Sequence, residues 1–304
     1  MSGRSLFRGL IWLVFALVAL GHLGGGWYFS DQLIQREFDV DHPEPVEVPT
    51  GDFQLAEVFY QSPLGNMEAW HLPAPGSVWV IHVHGKGATP AEASHLFAPL
   101  QAAGYPQLAI AYRNDAGQPE DPSGYYRYGA TEWEDVAAAV DFATANGASG
   151  IVFSGFSSGA SHILSYMYRN NLEQNRGVIM DSPNIDMADT VDFRASMEPM
   201  PLLPITVPPT VAEVAKFLTS LRIVVNWKSI DYVEDSGVRL HSPALIQHGT
   251  ADLSVPVGQS VAFAEQNSDL VRFVPYEGAG HVALHEADPQ KYLQEVMGFL
   301  SEVD

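Results

Sequence analysis

Gly155-Phe156-Ser157-Ser158-Gly159 is a G-x-S-x-G pentapeptide, set between an apolar run from Gly150 to Phe153 that reads as a buried strand and a run from Ala160 to Asn170 that reads as a helix. A serine in the sharp turn between such elements stands exposed at the carboxyl end of a sheet. Its small neighbours Gly155 and Gly159 let the chain bend and let a reacting carbonyl approach. That arrangement is a nucleophile elbow. The pentapeptide alone arises easily by chance, so its context has to carry the reading.

A serine hydroxyl is a poor nucleophile at neutral pH; it needs a base to take its proton and an acid to orient that base. Two downstream segments supply them. Residues 244–252 run from an apolar strand through His248 and Gly249 into a polar loop ending at Asp252. Residues 271–276 form another strand, followed by Glu277, Gly278, Ala279, Gly280 and His281, where the glycines free the loop to swing a histidine inward. His285 competes with His281 for the base. Asp181, just past a strand at Gly177 to Met180, competes with Asp252 for the acid, although Asp181-Ser182-Pro183 also reads as a plain turn.

The chain order Ser157, Asp252, His281 is that of α/β-hydrolases, and from about Phe53 to the C-terminus the sequence resembles that superfamily. In flavour it is nearest to small bacterial membrane-anchored esterase or peptidase-like members. The resemblance implies a mostly parallel central sheet with helices on both faces. It also implies an oxyanion loop after the third strand, and His84-Gly85-Lys86-Gly87 follows the strand Val78 to Val83. By that carry-over the backbone N–H groups of Lys86 and Ser158 form an oxyanion hole. The activity implied is acyl transfer through a serine, without a cofactor, on a small-molecule ester or a peptide. A binding protein that keeps the motifs without catalysis is the alternative from another class.

His82 and His84, two apart on a strand, invite a metal reading, but the loop accounts for His84 and no third ligand stands at a suitable spacing. His281-x-x-x-His285 lacks the H-E-x-x-H pattern of a zinc protease helix. Acidic residues outnumber basic ones 36 to 15, and the resulting formal charge of −21 repels phosphate backbones, which argues against a nucleic-acid partner. The absence of cysteine removes disulfides and thiolate chemistry.

Arg4 and Arg8 precede a run from Gly9 to about Phe29 that holds no charged residue apart from His22, itself neutral when unprotonated, and that is long enough at about 1.5 Å per residue to cross a bilayer. The following flank carries Asp31, Glu37, Asp39, Asp41, Glu44 and Glu47 against Arg36 alone, so the positive-inside rule puts the catalytic domain on the extracytoplasmic side. Trp27, Tyr28 and Phe29 read as an interfacial aromatic belt. A cleaved signal peptide, with Ala19-Leu20-Gly21 as a weak cleavage site and a secreted product, is the competing reading.

These signals divide the chain into an anchor at 1–29, an amphipathic segment and proline-rich linker at 30–52, and a hydrolase domain at 53–304. The linker, extended from Asp41 to Pro49, is expected to hold the domain away from the bilayer. Helices are expected to open at the capping boxes Thr131-x-x-Glu134 and Thr210-x-x-Glu213. The βα alternation breaks at about 182–238, a proline- and methionine-bearing insertion just before the strand that delivers Asp252. It reads as a lid over the pocket, against the plainer reading of a structural excursion. The tyrosine-rich stretch 115–129 is a second candidate pocket wall, where Arg113 either binds a substrate carboxylate or pairs with an acid.

Overall fold

The computed structural model describes residues 3–34, 51–170, 173–200, 204–233 and 240–304; the linker at 41–49 lies outside them. After a long N-terminal helix α1 (Gly3–Ile34), strands β1 (Ala56–Ser62) and β2 (Gly65–Leu72) pair as an antiparallel hairpin across Pro63 and Leu64. The chain continues as β3 (Val78–Val83), α2 (Ser94–Ala102), β4 (Gln107–Ile110), α3 (Trp133–Ala145), β5 (Gly150–Phe156), α4 (Ser158–Arg169) and β6 (Asn175–Asp181). Then follow α5 (Met187–Met197), α6 (Pro209–Ile223), β7 (Ala244–Gly249), α7 (Val257–Gln266), β8 (Val271–Tyr276), the short α8 (Leu284–Ala287) and α9 (Pro289–Val303).

The eight strands form one sheet in the order β1-β2-β4-β3-β5-β6-β7-β8, antiparallel at β1/β2 and β2/β4 and parallel elsewhere. β3, β4, β5 and β7 are buried along their whole length, as strands covered on both faces must be. One face packs through Ile81, Ile110, Phe153 and Met180 on Val136 of α3 and Ile163 of α4. The other packs through Val80, Val152 and Leu245 on Phe97 of α2 and Phe299 of α9. Parallel strands flanked by helices leave their carboxyl ends as the place where loops converge, and β3, β5, β6, β7 and β8 all deliver candidate residues there.

Neither capping box forms. α3 begins at Trp133, and the Thr131 hydroxyl donates instead to Asp121 at 2.8 Å. α6 begins at Pro209, whose fixed φ suits the first turn, and the Thr210 hydroxyl faces the His22 ring. In both places a tertiary partner outcompetes the local cap.

α1 differs most from expectation. Its stretch Phe7–Ile34 is long and apolar enough to cross a membrane, with a mean hydropathy of 1.8. It does not stop at Phe29, however, and its second half lies along α6 rather than standing off on a tether. Gly26 faces Val214 so closely that an added Cβ would sit 2.4 Å from that side chain, while Ser30 meets the Thr219 hydroxyl at 2.9 Å and Asp31 pairs with Arg222 at 2.8 Å. Ile34 is buried in the main core. The half-buried or buried residues His22, Gly25, Gly26, Phe29, Ser30, Leu33 and Ile34 recur at helical spacing and form the docking stripe.

Candidate active site

The elbow places Ser157 at φ 49° and ψ −118°, a strained conformation for a residue with a Cβ. Its two glycines are sterically required. A Cβ on Gly159 would lie 2.1 Å from the Val83 carbonyl oxygen, and one on Gly155 would lie 2.8 Å from the backbone of Ala160. Close packing of α4 onto β3 and β5 thus fixes the turn that presents the serine. The turn is further held by the Ser157 N–H donating to the Asp181 carbonyl at 2.9 Å.

Ser157, His281 and Asp252 come together. Asp252 is buried, and although burial pushes its carboxyl upward, hydrogen bonds from His248 and His281 and the amide of Val255 outweigh that and hold it well below the usual carboxylate range. It is therefore an acceptor only, so the proton of His281 sits on Nδ1, which donates to Asp252 Oδ2 at 2.7 Å. His281 Nε2 is left to accept from the Ser157 hydroxyl at 2.9 Å. That chain of bonds can take a proton from Ser157 and stabilise the imidazolium that results.

Asp181 and His285 stand apart from this chain. Asp181 accepts from the Ser182 hydroxyl at 2.9 Å, and burial raises its pKa to about 7. His285 packs on His95 and Tyr292, with ring centroids at 4.6 and 5.7 Å.

A residue given no role in the sequence reading supports Asp252. His248 Nε2 faces two acceptors, Asp252 Oδ2 at 3.1 Å and the Val255 carbonyl at 3.2 Å, so it carries a proton, while Nδ1 accepts from the Ser260 hydroxyl at 2.7 Å. The amides of Ser254 and Val255 bind the other carboxylate oxygen at 2.7 and 2.9 Å. His248 lies four residues before Asp252, a spacing that was visible but had no assigned role.

The loop after β3 is pinned from several sides. Glu92 accepts the Gly85 N–H at 2.8 Å, with its own carboxyl raised by burial. His84 donates from Nδ1 to the Gly85 carbonyl at 2.8 Å and pairs through Nε2 with Asp115 at 2.9 Å; burial pushes its pKa down, but Asp115 outweighs this and the net direction is upward. His82 bonds elsewhere, to Gln107 at 3.1 Å. The Lys86 amide donates to Ser158 Oγ at 2.7 Å, and Tyr126 OH lies 3.0 Å from Ser158 Oγ and 2.6 Å from His162 Nε2. The amide of Ser158 is in the first turn of α4, where N–H groups have no partner within the helix.

Arg113 does not reach the site. It is buried between Asp135, Glu134 and Asp121, with contacts of 2.7, 2.8 and 3.3 Å, and braces the 115–129 segment instead of offering a charge to a ligand. Of the insertion, α5 and α6 are described and 201–203 and 234–239 are not. The Ile185 and Asp186 amides are tied to Gln259 of α7 at 3.1 and 2.9 Å.

Strand order, elbow and loop arrangement define an α/β-hydrolase. The chain belongs to the prolyl oligopeptidase family, whose sequence profile matches residues 91–303, and it is a hydrolase. No curated protein matches it significantly. An esterase from Pyrococcus furiosus is similar in structure over 87% of this chain and 98% of its own, with a TM-score of 0.65 at 21% identity. A thermophilic esterase from Thermogutta terrifontis matches 82% of this chain and 99% of its own, with a TM-score of 0.57 at 17% identity. An esterase from Exiguobacterium antarcticum matches 81% of this chain and 100% of its own, with a TM-score of 0.57 at 17% identity. At such identities the likeness establishes the fold.

Proposed function

We propose that the protein is a serine hydrolase that cleaves a carboxylic ester through an acyl-enzyme. The observation that carries this reading is the continuous chain from Ser157 Oγ through His281 to Asp252, at 2.9 and 2.7 Å. Ser157 Oγ bonds to the ester carbonyl carbon as its proton passes to His281 Nε2, and the N–H groups of Lys86 and Ser158 hold the oxyanion. Collapse expels the alcohol, which takes the proton from His281. Water, deprotonated by the same ring, then releases the acid and restores the serine. Asp252 keeps the imidazole oriented, and no step needs a cofactor.

An ester is favoured because Arg113, the cation that could have held a peptide terminus, is consumed in a buried ion cluster, and because the named structural neighbours are esterases. The segment 182–238 is read as the lid. Membership of a family named for a peptidase favours a second reading, peptide cleavage by the same residues. A panel of p-nitrophenyl esters of graded acyl length beside aminoacyl and prolyl amides, assayed on the full chain, decides between them. Turnover of amides alone would move the function to the peptidase.

The N-terminal helix is read as an uncleaved single-pass anchor with the catalytic domain on the extracytoplasmic side. Supporting this, α1 is unbroken from Gly3 to Ile34, and its large apolar residues from Phe7 to Leu20 are exposed on every side.

A further inference from the structure

Resting on the esterase and anchor readings, we propose that the docked helix holds the mouth of the catalytic site at the bilayer surface, and that the substrate is a long-chain amphiphilic ester taken from that bilayer. The 20 residues from Gly9 to Tyr28 make a helix about 30 Å long, which matches the hydrocarbon core and puts Trp27 and Tyr28 at its edge. The catalytic domain supplies the rest of the interfacial belt at that level. The Arg222 guanidinium lies 4.6 Å from the Trp27 ring and 6.0 Å from that of Tyr125. Cations stacked on Trp and Tyr are the composition of a membrane–water boundary.

α1 and α6 run in the same direction, since His22, Gly26, Ser30 and Asp31 meet Thr210, Val214, Thr219 and Arg222 in that order. Thr210 therefore lies at the depth of His22, about 7 Å on the lipid side of Trp27. Polar groups at that depth need partners. His22 Nδ1 donates to the Val18 carbonyl at 2.8 Å and Nε2 meets the Thr210 hydroxyl at 2.9 Å, while Glu213, one turn closer to the boundary, pairs with Lys216 at 2.8 Å. The start of α6 thus sits in the acyl zone, and Phe217, 61% exposed and level with Tyr28, lies at the boundary.

The other end of the docked helix is at the chemistry. The Leu33 carbonyl accepts from the Tyr128 hydroxyl and from Lys86 Nζ at 3.4 Å, and Lys86 is the residue whose amide is assigned to the oxyanion. Leu33 is six residues past Trp27, about 9 Å along the axis. A site held so close to the boundary takes an ester whose chain remains in the lipid.

The chain lacks cysteine, so single cysteines can be labelled cleanly in the full-length protein reconstituted in phosphatidylcholine vesicles. A fluorophore at Phe217→Cys is expected to be quenched by a lipid-borne nitroxide, and one at exposed Asn146→Cys, at the amino ends of the parallel strands, is not. In the same vesicles, turnover of embedded 4-methylumbelliferyl palmitate is compared with that of soluble p-nitrophenyl butyrate. Gly26→Leu, which forces the helices apart, is expected to lower the ratio of embedded to soluble turnover about tenfold, and Phe217→Glu, which leaves the helix contact alone, to lower it in the same direction. Equal quenching at both sites, an unchanged ratio in both variants, or turnover of the soluble ester alone overturns the proposal and leaves the esterase reading standing. Failure of the wild type on both esters overturns both.

Discussion

The backbone amide of Lys86 donates to the side chain of Ser158 at 2.7 Å, so the donor assigned to the oxyanion is engaged in the free protein. An amide bonded to a neutral hydroxyl is held by only about 1 kcal/mol net, little beside a developing oxyanion. Ser158→Ala is therefore expected to change kcat/KM by less than about fivefold. Lys86→Pro removes the donor and is expected to cost about 10² to 10³ in kcat, while Lys86→Met keeps the amide and is mild. Steady-state kinetics of the three variants, with circular dichroism to confirm folding, makes the comparison. A Lys86→Pro enzyme as active as Lys86→Met would remove Lys86 from the oxyanion role.

Ser157 carries both the oxygen proposed as the nucleophile and a backbone strain that the oxygen does not cause. Ser157→Ala and Ser157→Gly are both expected to abolish turnover and labelling by a fluorophosphonate. At φ 49° and ψ −118° glycine relieves a conformation that alanine must still adopt. Only Ser157→Gly is expected to raise the melting temperature, by the equivalent of about 1 kcal/mol. Labelling of Ser157→Ala at the wild-type level would displace the nucleophile.

The acid is tested by ranking. Asp252→Asn is expected to lower kcat by about 10³ to 10⁴, since an amide at that position disturbs the tautomer and orientation of His281. Asp181→Asn should cost far less. His248 acts through Asp252 and is a positioning residue; His248→Ala is expected to lower kcat about tenfold at unchanged KM, with His248→Gln, which can still donate, recovering part of the loss. Should Asp181→Asn prove the more damaging carboxylate change, the acid belongs there.

Much of this site was legible because each part is a local pattern. The elbow needs Gly155 and Gly159 within four residues of one another, and Asp252 and His281 each follow an apolar strand in a glycine-bearing loop. What was not legible depends on distant partners. Glu92 meets the Gly85 amide from the turn before α2, and Tyr126, bonded to His162 of α4, reaches Ser158 from the 115–129 segment, contacts that only the packing around β3 brings about. Thr131 and Thr210 looked like caps because a sequence window cannot show Asp121 or His22 nearby. The docking stripe on α1 was hidden for another reason. Glycine and serine in an apolar helix carry no hydropathy signal, yet Gly26 and Ser30 are what let α6 approach.

Asp181 gives a pH signature separate from catalysis. Burial lifts its pKa from 3.8 to about 7, so across that range the folded protein holds a proton that the unfolded chain releases. The stability tied to this group is full below the unfolded value and is lost as pH rises towards the folded one, by at most about 4 kcal/mol. Asp181→Asn cannot ionise. Thermal melts at several values from about pH 4.5 to 7.5 are expected to show a smaller fall for the variant than for the wild type. Parallel curves would mean that Asp181 titrates normally.

The N-terminal helix should contribute to stability as well as location. A chain beginning at residue 50 loses the whole docking stripe, including the burial of Ile34, worth about 1.5 to 3 kcal/mol by itself, and uncovers the Val211 and Thr219 side of α6. Its melting temperature is expected to fall by about 5 to 10 °C relative to a chain beginning at Gly21, which keeps the stripe but not the span. The Gly21 chain should leave the membrane and retain activity on a soluble ester, whereas the full chain should resist carbonate extraction. Intact mass of the native protein separates anchor from signal. A mature form starting near His22 would preserve the docked helix, remove the span, and turn an enzyme held in the bilayer into one released from it.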